Sequence, residues 1–357
     1  MTKDKKQLGQ FYTTNYEYIF QNMFIPDKVD NIKVVKIVEP FAGNADLLNF
    51  IKEKNNYIIK CYDIIPNEEK NIEKRNTLLE PPDYTNVFIL TNPPFLARNK
   101  SDMKELYDKY DTNDLYKCFI HQLLETDTLL GGIIILPLNF WCSIRKRDIS
   151  LRRKFIKTYS IKQLNIFEET VFNDTSYTVC SIMFEKKCDE NSSQNIKTTI
   201  YPMKKEIDIV FNDENNYTFG GEIYNLPLEP TLKIDRLTKK NINKYNDACI
   251  TNILVKCIDD TKDSMICMKY IDDIKERYID DTSDNTARSY MTLIIEPHIT
   301  IERQKELVEK FNKYIDEMRE KYCSLFLTQF RNSNSIARKR ISFGLVYNIV
   351  NFLLTKI

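Results

Sequence analysis

The residues best placed to do chemistry form one short segment, Asn92-Pro93-Pro94-Phe95, which ends the apolar run Phe88-Ile89-Leu90-Thr91. The run reads as a buried strand, and the two prolines, with no N–H and a fixed φ, forbid its continuation. The chain must turn at the strand's carboxyl end, the edge of an open α/β sheet where ligands bind. There Asn92 offers an amide oxygen, Pro93 a carbonyl held by stiff backbone, and Phe95 a ring face. Together they suit a flat base bearing an exocyclic NH2. Such an amine is a weak nucleophile because its lone pair is delocalised into the ring, and an acceptor pair that binds both hydrogens favours a more localised lone pair. This catalysis is positional and electrostatic. The nitrogen becomes acidic once methylated, so no tuned general base is required in a chain whose histidines are His121 and His298. A loop that merely ends a strand with prolines is the plain alternative.

Two further segments would position such a site. Residues 34–39 have a strand pattern and lead through Pro40-Phe41-Ala42-Gly43-Asn44-Ala45-Asp46 into the helix-like Leu47-Leu48-Asn49-Phe50-Ile51. Gly43 is one of seven glycines, and its placement lets backbone approach a ligand closely. The turn carries acids instead of a phosphate cradle. Glu39 suits the ammonium of an amino-acid moiety better than a pyrophosphate, which separates this turn from a nicotinamide-binding fingerprint. A second strand, residues 57–62, ends at Asp63, roughly twenty residues past the glycine, where a carboxylate can bind both ribose hydroxyls. Ile64 and Ile65 could pack on a purine. An aspartate in such a place also serves as a turn former, but its spacing from Glu39 and Asn92 favours the binding role.

At 357 residues the chain is long enough for two domains. It is 42% hydrophobic and 29% charged, has no apolar stretch long enough for a bilayer, and starts MTKDKKQLGQ without the apolar core of a secretion signal. An intracellular protein is expected. The nine cysteines form no C-x-x-C pair and there is little histidine, which points to reduced structural thiols and no metal. A net charge of +1 excludes an overall polycation, so nucleic-acid contact must come from local patches. Two are present. One holds Arg145, Lys146, Arg147, Arg152, Arg153, Lys154 and Lys157; the other holds Arg331, Arg338, Lys339 and Arg340. Solvated helix faces are the alternative for each.

From residue 7 to 186 these features resemble the N6-adenine DNA methyltransferases, found in restriction-modification systems and in large DNA viruses. The resemblance implies an α/β, Rossmann-like, mixed but mainly parallel sheet with flanking helices in residues 1–186, and a smaller α+β target-recognition domain in 187–357. It implies S-adenosylmethionine (SAM) as cofactor and double-stranded DNA as substrate, with base flipping. Gln10, Phe11, Tyr12, Thr13 and Thr14 match the family's amino-terminal motif at the methionine end of the cofactor. Residues 39–46 match its binding turn, with Ala45 where a second glycine is often seen, and Asp63 with Ile64 matches the ribose segment. Asn76-Thr77-Leu78 falls where the family usually has an acid for the adenine amine, so Asn76 would accept that hydrogen bond without charge. Asp114-Leu115-Tyr116 opens a helix beside the cofactor, and Phe172 would join Phe95 in sandwiching the target adenine. Arg98 and Lys100 lie in the polar region 96–114, which suits a mobile loop that closes over substrate.

After residue 185 the composition shifts, and 186–197 reads as a linker. A helix is expected over 301–326, and an apolar helix over 341–354. Between them, Arg331, Asn332 and Asn334 with Arg338, Lys339 and Arg340 combine amides that read base edges with cations that hold phosphates. The resemblance also allows a cognate restriction endonuclease as a separate protein, and a monomer or homodimer in the cytoplasm of a bacterium or a virus-infected cell. Asn-Pro-Pro-aromatic segments also occur in enzymes that methylate adenine in RNA or glutamine in proteins. An RNA enzyme would carry a module for single strands, and a glutamine enzyme a helical domain ahead of the cofactor turn. A non-catalytic DNA-binding protein on the same fold is the reading from another class.

Overall fold

Every residue of Gly131–Pro137 and of Val87–Thr91 is buried. Continuous apolar runs need cover on both faces, so they belong inside a parallel sheet flanked by helices. The computed structural model has this arrangement. It describes residues 9, 13–172, 175–188, 193–281, 289–332 and 336–357, the side chains of 330–332 excepted. The chain divides into two compact units, Met1–Tyr217 and Thr218–Ile357.

The first unit is built on nine strands: β1 (Lys36–Glu39), β2 (Ile58–Asp63), β3 (Ile72–Lys74), β4 (Val87–Thr91), β5 (Gly131–Pro137), β6 (Tyr159–Phe167), β7 (Val179–Lys186), β8 (Gln194–Tyr201) and β9 (Lys205–Phe211). Their order across the sheet is β9-β8-β6-β7-β5-β4-β1-β2-β3. Strands β3 to β5 run parallel by way of β2, β1 and β4, whereas β7 is antiparallel to both β5 and β6. The fold is α/β with a mixed, mainly parallel sheet. From β1 the chain winds outward through β2 and β3, then returns to lay β4 on the other side of β1. That reversal opens a crevice at the carboxyl ends of β1 and β4.

Helices α1 (Lys104–Lys109), α2 (Leu115–Leu124) and α3 (Lys146–Thr158) belong to this unit. Helix α2 is buried almost all round. Helix α3 buries Asp148, Leu151, Arg152, Phe155 and Ile156, one face at helical spacing. Arg152 therefore departs from the expected surface patch. It is fully buried, with Nε donating to the Tyr217 carbonyl at 2.7 Å, Nη1 to that of Phe140 at 2.6 Å and Nη2 to that of Ser143 at 2.7 Å.

The segment expected as a linker behaves differently too. Its carboxyl end enters β8, which pairs parallel with β6 and antiparallel with β9. Phe211 then stacks on Trp141 at 5.1 Å, and Arg152 holds Tyr217. The first unit consequently ends at Tyr217, later than the break expected after residue 186. Region 96–114, expected as a mobile loop that closes over substrate, contains α1, and Tyr107 within it is fully buried.

The second unit packs a four-stranded antiparallel sheet, β10 (Lys233–Arg236), β11 (Ile250–Lys256), β12 (Cys267–Tyr270) and β13 (Tyr290–Glu296), against α4 (Ile301–Tyr322) and α5 (Phe343–Leu354). The sheet order is β10-β13-β11-β12. Helix α4 stops at Tyr322, short of the expected 326, because Cys323 turns left-handed at φ 50°. Helix α5 begins after Ser342, whose hydroxyl accepts from the Leu345 amide at 3.2 Å. Strands β14 (Thr328–Asn332) and β15 (Ala337–Arg340) form a hairpin between the two helices. Among the described residues no helix is long and apolar enough to cross a membrane.

Candidate active site

The cavity at the carboxyl ends of β1, β2 and β4 encloses about 940 Å³, its open mouth included. Each of the three sequence segments supplies one wall. The β1 turn contributes Glu39, Pro40, Phe41, Ala42, Gly43 and Asp46. Gly43 (φ 53°) and Ala45 (φ 57°) both adopt left-handed backbone, which costs Ala45 about 1 kcal/mol relative to glycine. The turn is fastened to β2 by the Ala42 amide, which donates to the Tyr62 carbonyl at 2.9 Å.

Asp63 ends β2 and is buried. One carboxylate oxygen accepts from the Gly43 amide at 2.9 Å and the other from the Ile65 amide at 3.0 Å. These bonds set the carboxylate on the cavity wall beside Ile64. Asn76, Thr77 and Leu78 complete that side, with the Thr77 hydroxyl donating to the Pro40 carbonyl at 2.9 Å.

The third wall is Asn92 and Pro94 at the end of β4. The Asn92 Nδ2 donates to the Thr13 hydroxyl at 3.1 Å, inside the protein. Phe95 is buried behind them, and its ring meets those of Tyr116 at 5.9 Å and Tyr177 at 6.5 Å edge-on. The Phe95 amide donates to the Gly9 carbonyl at 3.0 Å. Gly9 stands at φ 68°, and a Cβ there would come within 2.7 Å of the Phe95 carbonyl oxygen. Leu115 of α2 closes the cavity.

The electrostatics of this cavity are acidic. Glu39 is 1% exposed, and its Oε2 is buried without a hydrogen-bond partner among the described residues. Burial first, then the charges of Asp46 and Asp63, hold its carboxyl well above the usual range. A lone buried carboxylate next to two more acids is stabilised by a cation. Beside the cavity, burial pushes the Asp114 carboxyl up to about 7.

Several expected site residues fall elsewhere. Thr14 is exposed and is not on the cavity wall. Gln10, Phe11, Tyr12 and Asn334 lie outside the described residues, as do the side chains of Arg331 and Asn332. Phe172 is buried. Lys339 is buried, with Nζ donating to the Cys323 carbonyl at 3.5 Å. It alternates with Arg338 and Arg340 along β15 and so faces inward. Arg338 pairs with Asp260 at 2.5 Å. Arg145 and Lys100 are exposed, Arg98 pairs with Asp108 at 2.9 Å, and Arg147 pairs with Asp111 at 2.9 Å. Leu47, Arg75 and Met103 line the cavity although nothing in their sequence context marked them.

No family model and no curated protein matches this chain. Solved structures do match. One is a type I restriction-modification methyltransferase subunit from Streptococcus thermophilus (13% identity, 54% of this chain and 47% of that one, TM-score 0.40). Another is a modification subunit of a type I restriction enzyme from Vibrio vulnificus (13% identity, 55% and 49%, TM-score 0.40). A third is a class I S-adenosylmethionine-dependent methyltransferase from Listeria monocytogenes (15% identity, 52% and 61%, TM-score 0.37). The matched region spans about half the length of the first two.

Proposed function

We propose that this protein is a SAM-dependent methyltransferase that modifies N6 of adenine in duplex DNA. The observation that carries the reading is the buried carboxylate oxygen of Glu39, without a partner among the described residues, in a cavity that extends to Asn92 and Pro94. An acidic cavity at a strand-order reversal fits a ligand that is cationic, has an amino-acid end and carries a ribose. Glu39 would hold the ammonium and Asp63 the ribose hydroxyls. Asn76 would accept from the adenine amine, and Leu78 and Leu115 would pack on the purine. When bound, SAM supplies a methyl group on a positively charged sulfur.

The protein's own residues would do the rest by position. The Asn92 side-chain oxygen and the Pro93 carbonyl would accept the two hydrogens of the target amine, and Phe95 would stack on the base. Thr13 restrains the Asn92 amide, which limits its rotation away from the substrate. Held in this way, the amine nitrogen would be aimed at the methyl group that SAM supplies, and its surplus proton would pass to water. An adenine inside a duplex must first be swung out of the stack. Exposed cations such as Arg145 and Lys100, with the β14–β15 hairpin of the second unit, would supply phosphate and base contacts. A cognate restriction endonuclease would be a separate protein.

The test is transfer of labelled methyl from SAM to unmethylated duplex DNA, with RNA and bulk protein as competing acceptors, followed by nucleoside chromatography. N6-methyl-2′-deoxyadenosine from the DNA arm, with no label in RNA or protein, supports the reading. Label in RNA or protein alone overturns it.

A further inference from the structure

We infer that Asp114 is a positioning residue through which the cofactor cavity and the base-stacking loop are coupled, so that filling one site tightens the other. The inference rests on the methyltransferase reading of the cavity. Asp114 stands at the N-cap of α2, where a carboxylate ordinarily bonds the first amides of its own helix. The Leu115 and Tyr116 amides at the start of α2 do act on its carboxyl, but the bond that leaves the helix is the informative one. Its Oδ1 accepts from the amide of Leu96, the residue after Phe95, at 3.0 Å. The next residue returns the contact, the Leu115 amide donating to the Leu96 carbonyl at 3.2 Å. The Tyr107 hydroxyl donates to the same carbonyl at 3.0 Å.

Three consecutive residues thus face two sites. Asp114 grips the backbone next to Phe95, Leu115 forms part of the cofactor cavity wall, and the Tyr116 ring meets the Phe95 ring edge-on. A ligand packed on Leu115 fixes the first turn of α2, and the Leu96 clamp passes that restraint to Phe95. The same clamp works in reverse when a base presses on Phe95. Coupling of this kind is reciprocal and commonly amounts to about five- to 150-fold in affinity. It needs one physical element that both sites bias, and the 114–116 turn is that element.

The experiment measures calorimetric affinity for S-adenosylhomocysteine with and without saturating plasmid DNA from a methylation-free host, alongside methylation kinetics. In the wild type, DNA should tighten binding by about fivefold or more. Asp114→Ala should lose that enhancement and lower kcat, while its affinity without DNA and its KM for SAM change little. Asp114→Asn keeps an acceptor oxygen for the Leu96 amide and should restore most of the enhancement. Should Asp114→Ala fail to fold, Tyr107→Phe removes a single tether and is expected to reduce the enhancement in part. Full enhancement in Asp114→Ala, or in a folded Tyr107→Phe, overturns the inference and leaves the DNA reading standing. A wild type that methylates DNA with no enhancement also overturns it. A wild type that methylates no DNA overturns the reading beneath it, and the coupling falls with that reading.

Discussion

Replacing Glu39 by glutamine should move stability and binding in opposite directions. The side chain is 1% exposed, with one oxygen lacking a partner among the described residues, and its carboxyl is raised by burial, Asp46 and Asp63. Glutamine keeps the shape and removes the charge. A hydrogen bond to a charged group contributes about 1.5–3 kcal/mol. Loss of about 2 kcal/mol at the ammonium weakens S-adenosylhomocysteine binding roughly thirtyfold. Without ligand, glutamine cannot ionise and so escapes the cost of burying the charge that the wild type takes on as pH rises, and the free protein should melt higher there. The sign of the pH dependence follows from the raised acid. Its stabilising contribution is complete below the unfolded value of about 4.3 and is lost as pH rises through the folded value. Glu39→Gln should therefore gain on the wild type as pH rises. Because the ligand's ammonium needs the ionised form of an acid that burial holds protonated above its usual range, wild-type binding should release protons and the variant's should release fewer. Calorimetry in buffers of different ionisation enthalpy measures the affinity and the proton count. Equal affinities, or a variant that melts lower without ligand, would refute the assignment.

Asp63→Ala removes the acceptor for the Gly43 and Ile65 amides and should weaken cofactor binding about tenfold or more by calorimetry; an unchanged Kd takes Asp63 off the ribose. Arg152→Ala leaves three carbonyls without their donor, those of Tyr217 and Phe140 in buried bonds, and each buried one costs about 1–3 kcal/mol, so thermal melting should fall steeply. Arg145→Ala should leave melting unchanged and lower the salt dependence of DNA affinity by about one contact's worth; a reversal of these two outcomes contradicts the placement of Arg152 as structural and Arg145 as surface. Asp114, pushed up to about 7 by burial, contributes stability that declines by about 1.4 kcal/mol per pH unit between pH 5 and 7. Melting of wild type against Asp114→Asn across that window should therefore increasingly favour asparagine, and a constant difference would show that the carboxylate is not held neutral.

The parts legible in the sequence were those set by local rules. β4 and β5 are readable because central parallel strands are apolar without alternation, and Asn92 is readable because prolines end a strand abruptly. What failed was the reading of charge without direction. Arg145 and Arg152 look alike in composition, yet Asp148, Leu151, Arg152, Phe155 and Ile156 share one helix face, and the period of 3.6 places Arg152 inside. Lys339 repeats the lesson with a period of two, set inward between Arg338 and Arg340. Strand β8 is not legible because Gln194–Tyr201 mixes polar with apolar residues and is buried without alternation over its last four positions. Other features need three dimensions. Arg75 lines the cavity, and its guanidinium lies 4.9 Å from the centre of the Tyr62 ring. Met103 arrives there from a polar stretch, and Gly9 matters only because Phe95 folds back onto it.

The most direct test of the central claim is single-molecule sequencing of genomic DNA from a methylation-deficient host that expresses the protein, with Asn92→Ala as the paired control. The account expects N6-methyladenine at one short motif in the wild-type host and none in the variant, although both proteins bind S-adenosylhomocysteine. Unmodified DNA from a folded, cofactor-binding wild type, or the same methylation with Asn92→Ala, would contradict it.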